Sequence, residues 1–188
     1  MQPFSELLEA NPVIAAVKDE ESLARCCSME DLGLVFILYG NICTIPDITR
    51  RLVEAGKVPV VHLDLMGGLA GREVAVEYIR RNTSAAGVIS TKPQLLTAAK
   101  KQGLYSILRV FLLDSMACEN LERQVRAAHP DSVEILPGLM PKVIRRLHAK
   151  TRVPLIAGGL IQEREDVTAA LDAGAMAVSS TNPLVWKM

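Results

Sequence analysis

The chain has 188 residues, of which 49% are hydrophobic, 22% charged and 4% aromatic, and its 21 basic residues balance its 21 acidic ones. This composition predicts one globular domain, residues 1–188, and the balanced charge excludes attraction of nucleic acid or an acidic membrane through a global field. No apolar run approaches the roughly 20 residues of a membrane span and no signal peptide is recognisable, so we expect a cytoplasmic protein.

Eight short apolar segments alternate with segments of helical period. The predicted strands, in chain order, are residues 13–17, 34–38, 58–63, 86–90, 105–110, 132–136, 154–157 and 175–179. They are apolar at odd and even positions alike, which is typical of parallel strands covered on both faces. Amphipathic helices are predicted at 45–55, 93–102 and 164–173, each ending at a glycine.

This alternation predicts an α/β fold with parallel strands, either a closed barrel or a doubly wound open sheet. The first strand is followed by Lys18-Asp19-Glu20 rather than by a G-x-G-x-x-G turn, which favours a compact TIM-like (β/α) barrel. Only residues 183–188 remain for the last helix, which is therefore predicted to be truncated. The thinly covered side would be closed by residues 4–10 or by a second subunit, and we expect a homo-oligomer, most simply a homodimer.

Small polar residues follow the seventh and eighth predicted strands. The loops after these strands, with the N-terminus of a short extra helix, commonly bind phosphate in such barrels. The candidate phosphate-binding residues are Gly158, Gly159, Ser179, Ser180, Thr181 and Asn182. The glycines would allow close backbone approach, and the later residues would open a short helix at 184–186 whose N–H groups and dipole favour an anion. A plain turn and a plain helix cap are the alternative.

Charged residues also interrupt the predicted strands near their C-terminal ends, where these barrels carry their functional sites. His62 and Asp64 are two apart on one predicted strand, so both side chains are expected to point into the lumen near its mouth. Arg109 and Glu134 lie similarly deep in their strands. Because a buried charge is costly unless paired, these two either form a lumenal ion pair or bind a polyol, and the two roles are compatible.

Individual residues suit catalysis, but no catalytic constellation is evident. Lys18 and Lys92 stand where an aldolase would place a Schiff-base lysine, and Glu134 or His62 where an isomerase would place a base. The four cysteines have no C-x-x-C spacing, and His62 with Asp64 offers only two metal ligands. We therefore assign no catalytic residue and predict neither a cofactor nor a metal.

The segment "PKVIRRLHAKTR" contains the densest basic cluster. Its apolar residues would face the sheet and leave Lys142, Arg145, Arg146 and Lys150 on the outer surface of a helix. Such a face is usually just solvated, yet it is the candidate surface for contacts with RNA phosphates.

The chain resembles the glycerol uptake operon antiterminator family of bacterial regulators. The resemblance runs in order through "HLDLMGGLAGREVAVEYI", "AGVISTKPQLLTAAKKQGL", "LRVFLLDSMA", "VEILPGLMPKVI" and "PLIAGGLIQEREDVTAALDAGAMAVSSTNPLVW", and more loosely through "VFILYGNI". It implies a protein without catalytic turnover that senses glycerol 3-phosphate. On sensing it, such a protein binds leader mRNA and prevents premature termination of transcription of glycerol-use genes.

The resemblance also implies roles for the candidate residues. The six glycine, serine, threonine and asparagine positions would take the phosphate, while the glycerol end would be lined by His62, Asp64, Lys92, Arg109 and Glu134. Closure of a loop at 39–45, 66–71 or 114–116 would then arrange the basic surface in a dimer. Two other classes stay open: a phosphosugar isomerase or aldolase on the same barrel, and a ligand-binding module that acts through a protein partner.

Overall fold

The computed structural model describes residues 2–188, which form a closed barrel of eight parallel strands arranged in chain order. The strands are β1 (Val13–Val17), β2 (Leu34–Ile37), β3 (Val58–His62), β4 (Gly87–Ser90), β5 (Tyr105–Phe111), β6 (Ser132–Leu136), β7 (Leu155–Gly158) and β8 (Ala177–Ser180). The predicted TIM-like barrel is confirmed, and the strand ends lie within two residues of the predicted ones.

Helices connect the strands on the outside of the barrel. They are α1 (Phe4–Ala10), α2 (Glu20–Cys27), α3 (Ile45–Glu54), α4 (Glu73–Asn82), α5 (Pro93–Lys101), α6 (Ser115–Ala128), α7 (Pro141–His148) and α8 (Arg164–Asp172). The three helices predicted from the sequence, α3, α5 and α8, begin at the predicted residue and end one residue earlier. After β8 only a 3-10 helix at Val185–Lys187 follows, which confirms the truncation of the last helix. None of the helices in residues 2–188 combines the length and hydrophobicity that a membrane span requires.

Alternate residues of each strand belong to two separate cores. One core fills the lumen and includes Ile14, Phe36 and Ile107, while the other lies between the strands and the surrounding helices and includes Val35 and Leu108. The lumenal set continues toward the C-terminal ends of the strands and becomes polar there. Two residues beyond Ile107, the same face of β5 carries Arg109.

The N-terminal helix α1 closes the bottom of the barrel. Phe4 and Leu8 belong to the lumenal core, and the ring centroids of Phe4 and Tyr105 lie 4.9 Å apart. The expectation that residues 4–10 cover the outer side is therefore wrong. Val185 and Trp186 of the 3-10 helix are buried in the outer core instead, and the Trp186 indole donates to the Ser180 carbonyl at 2.7 Å.

Candidate functional site

Arg109 and Glu134 form an ion pair inside the barrel. They are register partners on β5 and β6, and Nε of Arg109 lies 2.6 Å from Oε2 of Glu134. The other carboxylate oxygen, Oε1, accepts a hydrogen bond of 2.5 Å from the hydroxyl of Ser179 on β8. Both charged side chains are buried, and a buried pair is tolerated only when its remaining lone pairs are satisfied in this way. The structure thus shows the ion-pair role that the sequence left open.

Gly158 leaves the space that the Glu134 carboxylate occupies. A Cβ atom at position 158 would lie 2.7 Å from Oε1 of Glu134 and 2.6 Å from the Ser179 hydroxyl oxygen. These distances are too short for any side chain larger than hydrogen. The charge network is therefore a second reason for glycine at this position, beside the backbone access predicted from the sequence.

A cavity of about 100 Å³ opens above the ion pair, at the C-terminal ends of the strands. Its lining includes Arg109, Glu134, Gly159, Ser179, Ser180 and Thr181. Residues from both the predicted phosphate subsite and the predicted glycerol subsite therefore share one cavity. Gly158 and Asn182 adjoin this lining without being part of it.

Hydrogen-bond donors without a protein partner line this cavity. The backbone N–H groups of Gly159, Leu160, Ile161 and Thr181 donate to no backbone carbonyl within residues 2–188. In the same range only Nε of the Arg109 guanidinium donates a hydrogen bond, which leaves its two terminal nitrogens for another acceptor. Backbone N–H groups without an acceptor, in residues that share a cavity with a guanidinium, are the kind of donors that bind anions in proteins.

The side chains of Ser180, at the end of β8, and of Asn182, just after it, are hydrogen-bonded to the β7–α8 loop. Ser180 donates its hydroxyl to the Ile161 carbonyl at 2.7 Å, and Asn182 donates its amide to the Gln162 carbonyl at 3.0 Å. The 3-10 helix that follows begins one residue later than the predicted helix and has three residues, so it is too short to supply the dipole invoked for the phosphate. The backbone N–H groups without an acceptor therefore lie mainly in the β7–α8 loop rather than at a helix N-terminus.

Leu160 and Ile161 line the cavity, although neither was predicted from the sequence. Their apolar side chains give no sign of a polar role, since each contributes through its backbone N–H. The one signal was their position directly after Gly159. The φ angles of +73° at Gly159 and +63° at Leu160 turn the chain sharply over the cavity.

His62 is buried at the end of β3, and within residues 2–188 neither ring nitrogen has a hydrogen-bond partner. Burial, together with the nearby positive charge of Arg109, lowers the pKa of His62 to about 4. The imidazole is therefore neutral at physiological pH and offers one donor and one acceptor. Leaving both unpaired costs free energy that a bound hydroxyl group or water would recover.

Asp64 does not share a strand with His62, so that prediction is wrong. β3 ends at His62, and Asp64 lies in a 3-10 helix at Leu63–Leu65. Its Oδ2 accepts hydrogen bonds from the Thr91 N–H at 2.7 Å and the Ser90 hydroxyl at 3.0 Å. Burial opposes ionisation of this carboxyl, but these hydrogen bonds outweigh it and lower the pKa of Asp64.

Lys92 belongs to the same cluster at the rim. Its Nζ lies 3.4 Å from Oδ1 of Asp64, and its side chain is 43% exposed. Neither Asp64 nor Lys92 lines the cavity above Arg109. His62 does not line it either, so of the five residues predicted for the glycerol end only Arg109 and Glu134 belong to the lining of this cavity. In the described part of the chain, no three His, Cys, Asp or Glu side chains converge as a metal site requires.

Two of the loops proposed as lids are joined to each other. Asn41 and Gly67 form an isolated parallel bridge, and the Ile42 N–H donates to the Gly67 carbonyl at 2.9 Å. The Tyr78 hydroxyl donates to the Ile42 carbonyl at 2.6 Å and so ties the pair to α4. Any closure of residues 39–45 would therefore move residues 66–71 with them.

Three of the four residues of the predicted basic surface lie on α7, while Lys150 lies two residues beyond the end of that helix. Ile144 and Leu147 are buried, while Lys142, Arg145 and Arg146 are exposed. These three cations have no acidic partner within residues 2–188, whereas Lys150 lies 3.7 Å from Glu122 of α6. Three uncompensated cations on one short helix form a local patch that attracts phosphate groups.

Comparison with known proteins identifies relatives along almost the whole chain. Residues 13–186 match the family model described as glycerol-3-phosphate responsive antiterminator. The chain is 45% identical over 186 residues to the uncharacterized protein YgcP of Escherichia coli K12, covering 99% of this chain and 97% of that protein. The crystal structure of the glycerol uptake operon antiterminator regulatory protein from Listeria monocytogenes superposes with a TM-score of 0.89 at 27% identity, covering 93% and 94% of the two chains. The crystal structure of a glycerol uptake operon antiterminator-related protein from Thermotoga maritima superposes with a TM-score of 0.84 at 32% identity, covering 95% of this chain and 99% of that one.

Proposed function

The chain belongs to the glycerol-3-phosphate responsive antiterminator family, and from this premise we propose that it binds glycerol 3-phosphate in the mouth of the barrel and then binds the leader RNA of glycerol-use genes. RNA binding would prevent premature termination of transcription. The proposed regulator acts in the cytoplasm as a homodimer, with no catalytic turnover.

One observation carries the ligand proposal: the Arg109 guanidinium and the unengaged N–H groups of Gly159, Leu160, Ile161 and Thr181 line the same cavity. The phosphate would accept hydrogen bonds from these backbone groups, with the guanidinium supplying positive charge. The glycerol hydroxyls would then lie toward Glu134, and His62, which does not line the cavity, would reach them only after a rearrangement.

The cluster at the rim of the barrel, which contains Asp64 and Lys92, would not contact the ligand directly in this conformation. Asp64 and Lys92 are held to each other and do not line the cavity. A contact between either residue and the glycerol end therefore requires a movement of the loops after β3 or β4. Such a movement would give the ligand different affinities for two conformations, as an allosteric effector requires.

The RNA proposal is supported by the unpaired cations of α7 and by the connection of that helix to the site. β6 carries Glu134 and leads into α7, while β5 carries Arg109 and leads into α6. A ligand that changes the ion pair would thus act on the two strands that precede these helices. Phosphate contacts by Lys142 and Arg145 would position the RNA.

The decisive experiment measures binding of the purified protein to the leader RNA of its own operon at a fixed salt concentration, with and without glycerol 3-phosphate. Glycerol and inorganic phosphate serve as controls, because RNA affinity depends strongly on ionic strength. We expect tighter binding only with the intact ester. Ligand binding without an RNA response would indicate a module that acts through a protein partner, and binding of neither would contradict the proposal.

Two features favour a regulator over an aldolase on the same barrel. Lys18 is exposed, and Lys92 lies beside Asp64 with a half-exposed side chain. Neither lysine stands in the desolvated setting that activates Schiff-base lysines. Turnover of triose or pentose phosphates, lost on Lys92→Ala or Glu134→Gln, would instead support the enzyme.

A further inference from the structure

Helix α6 is the least embedded of the outer helices in relation to its length. Of its 14 residues only Leu121 and Ala128 are buried. Just before and within its first turn, Leu113 and Met116 are 84% and 68% exposed. Two large apolar side chains so close together on the surface indicate an interaction site.

A cleft of about 500 Å³ separates α6 from α7. Its floor is apolar and is formed by Leu112, Met140, Val143 and Leu147. Leu113 lines the same cleft at its edge. The surface therefore carries both an apolar projection and an apolar recess.

The two walls of the cleft have opposite charge. The α6 side carries Asp114, Glu119 and Glu122, and the α7 side carries Arg146 and, just beyond the helix, Lys150, which already lies 3.7 Å from Glu122. Under a two-fold axis parallel to the cleft, the acidic side of one molecule meets the basic side of another, which makes the surface electrostatically self-complementary.

We propose that the α6–α7 face binds a second copy of this chain in a two-fold symmetric dimer. In this dimer Leu113 and Met116 of each copy pack into the cleft of the other. The acidic wall disfavours an RNA backbone here, whereas it suits the basic wall of a second copy. The inference rests on the proposed homodimer but on neither the ligand nor the RNA.

The same geometry relates the dimer to the proposed RNA surface. On α7 the cleft-lining residues are 143, 146 and 147, with Lys150 just beyond the helix, while Lys142 and Arg145 do not line the cleft. These two cations stay exposed when the cleft is filled. The two-fold axis would then bring two basic helices together in one surface, so that a dimer presents twice the cations of a monomer.

The first test is sedimentation equilibrium of the wild-type protein and of the variants Leu113→Glu and Met116→Glu. The matched control is Val74→Glu, since Val74 is 62% exposed on α4, away from the cleft. We expect a wild-type dimer, a dissociation constant at least about tenfold higher for the first two variants, and no change for the control. Circular dichroism checks that all variants are folded.

The second test is a charge exchange between the walls. Glu119→Lys and Arg146→Glu each place like charges at both edges of the two-fold interface, so each variant alone should dimerise weakly. An equimolar mixture places opposite charges at both edges and should recover the wild-type dissociation constant. Alkylation of Cys118, which lines the cleft, should slow as protein concentration rises.

The outcomes separate this inference from the homodimer itself. If the wild type is a dimer and Leu113→Glu and Met116→Glu dimerise equally well, with no recovery specific to the mixture, the α6–α7 face is not the interface. The homodimer itself would still stand. A wild-type protein that stays monomeric through the micromolar range, with and without glycerol 3-phosphate, overturns both. Neither result bears on whether the barrel binds its ligand.

Discussion

Arg109 and Glu134 stand side by side on adjacent strands, and their ion pair lies at the floor of the cavity at the mouth of the barrel. Below it the lumen is filled by apolar side chains such as Ile107. The pair therefore lies at the boundary between the packed core and the candidate site. Changing either partner should affect stability and ligand binding together.

Glu134→Gln should lower the free energy of unfolding by about 3 kcal/mol, because it leaves the Arg109 charge buried without its partner. Urea denaturation measures the loss. Arg109→Met combined with Glu134→Leu should recover most of that stability yet bind no glycerol 3-phosphate. As a control, Glu77→Gln removes a surface pair with Arg81 and should cost less than about 0.5 kcal/mol. Equal losses at positions 134 and 77 would contradict the buried-pair account.

Gly159→Ala should weaken binding of glycerol 3-phosphate. The φ of +73° makes any side chain here costly by about 1–2 kcal/mol, and the new Cβ would lie 3.1 Å from Cδ2 of Leu136 beside the cavity. Gly103→Ala is the matched control: its φ is +71°, and a Cβ there meets nothing within 4 Å. Calorimetry should show similar destabilisation of both variants and a loss of ligand affinity only at 159. A bulky residue at 159 should abolish the ligand response, and a normal response would refute the phosphate site.

His62 should make stability depend on pH between about 6.5 and 4. Its pKa is about 4 in the folded protein and near 6.5 when unfolded, so the unfolded state binds more protons in this window. The contribution of His62 is complete above pH 6.5 and falls by about 2 kcal/mol on acidification to pH 5. Urea unfolding should show this slope in the wild type and in His148→Gln, where the exposed histidine is changed, but not in His62→Gln.

Lys142→Gln together with Arg145→Gln should weaken RNA binding without changing the affinity for glycerol 3-phosphate. Each lost phosphate contact should also reduce the slope of log affinity against log salt, by about 2 for the pair. Titrations at several salt concentrations measure both effects. Lys101→Gln, an exposed lysine at the end of α5, should leave the slope unchanged. An unaltered slope in the double variant would place the RNA elsewhere.

Local patterns in the sequence were enough to predict the barrel. A short stretch of sequence is enough to recognise a strand that is apolar at both odd and even positions. The same holds for a helix that is followed by a glycine, as α3, α5 and α8 are. The depth of Arg109 and Glu134 in their strands likewise predicted a lumenal position, because alternation fixes which face a side chain takes.

Other features depend on long-range packing and could not be predicted. Ser179 and Glu134 are 45 residues apart, so no local pattern shows that the serine hydroxyl is used by the carboxylate. The position of Asp64 depended on whether β3 continues two residues past His62, and strand ends carry weak local signals. Backbone donors such as that of Leu160 are invisible in a sequence, since every residue except proline has one.

The position of α1 gives the barrel a blind end. Phe4 and Leu8 fill its base. The Tyr105 hydroxyl donates to the Gln2 carbonyl at 2.9 Å and so links the segment before α1 to strand β5. A small molecule bound beside Arg109 therefore enters and departs through one doorway. The lifetime of the occupied state is then set by the loops at that opening, among them the β7–α8 loop with Gly159 and Leu160. The rate at which a bound molecule dissociates would therefore depend on how often these loops open, whatever the strength of its contacts inside the cavity.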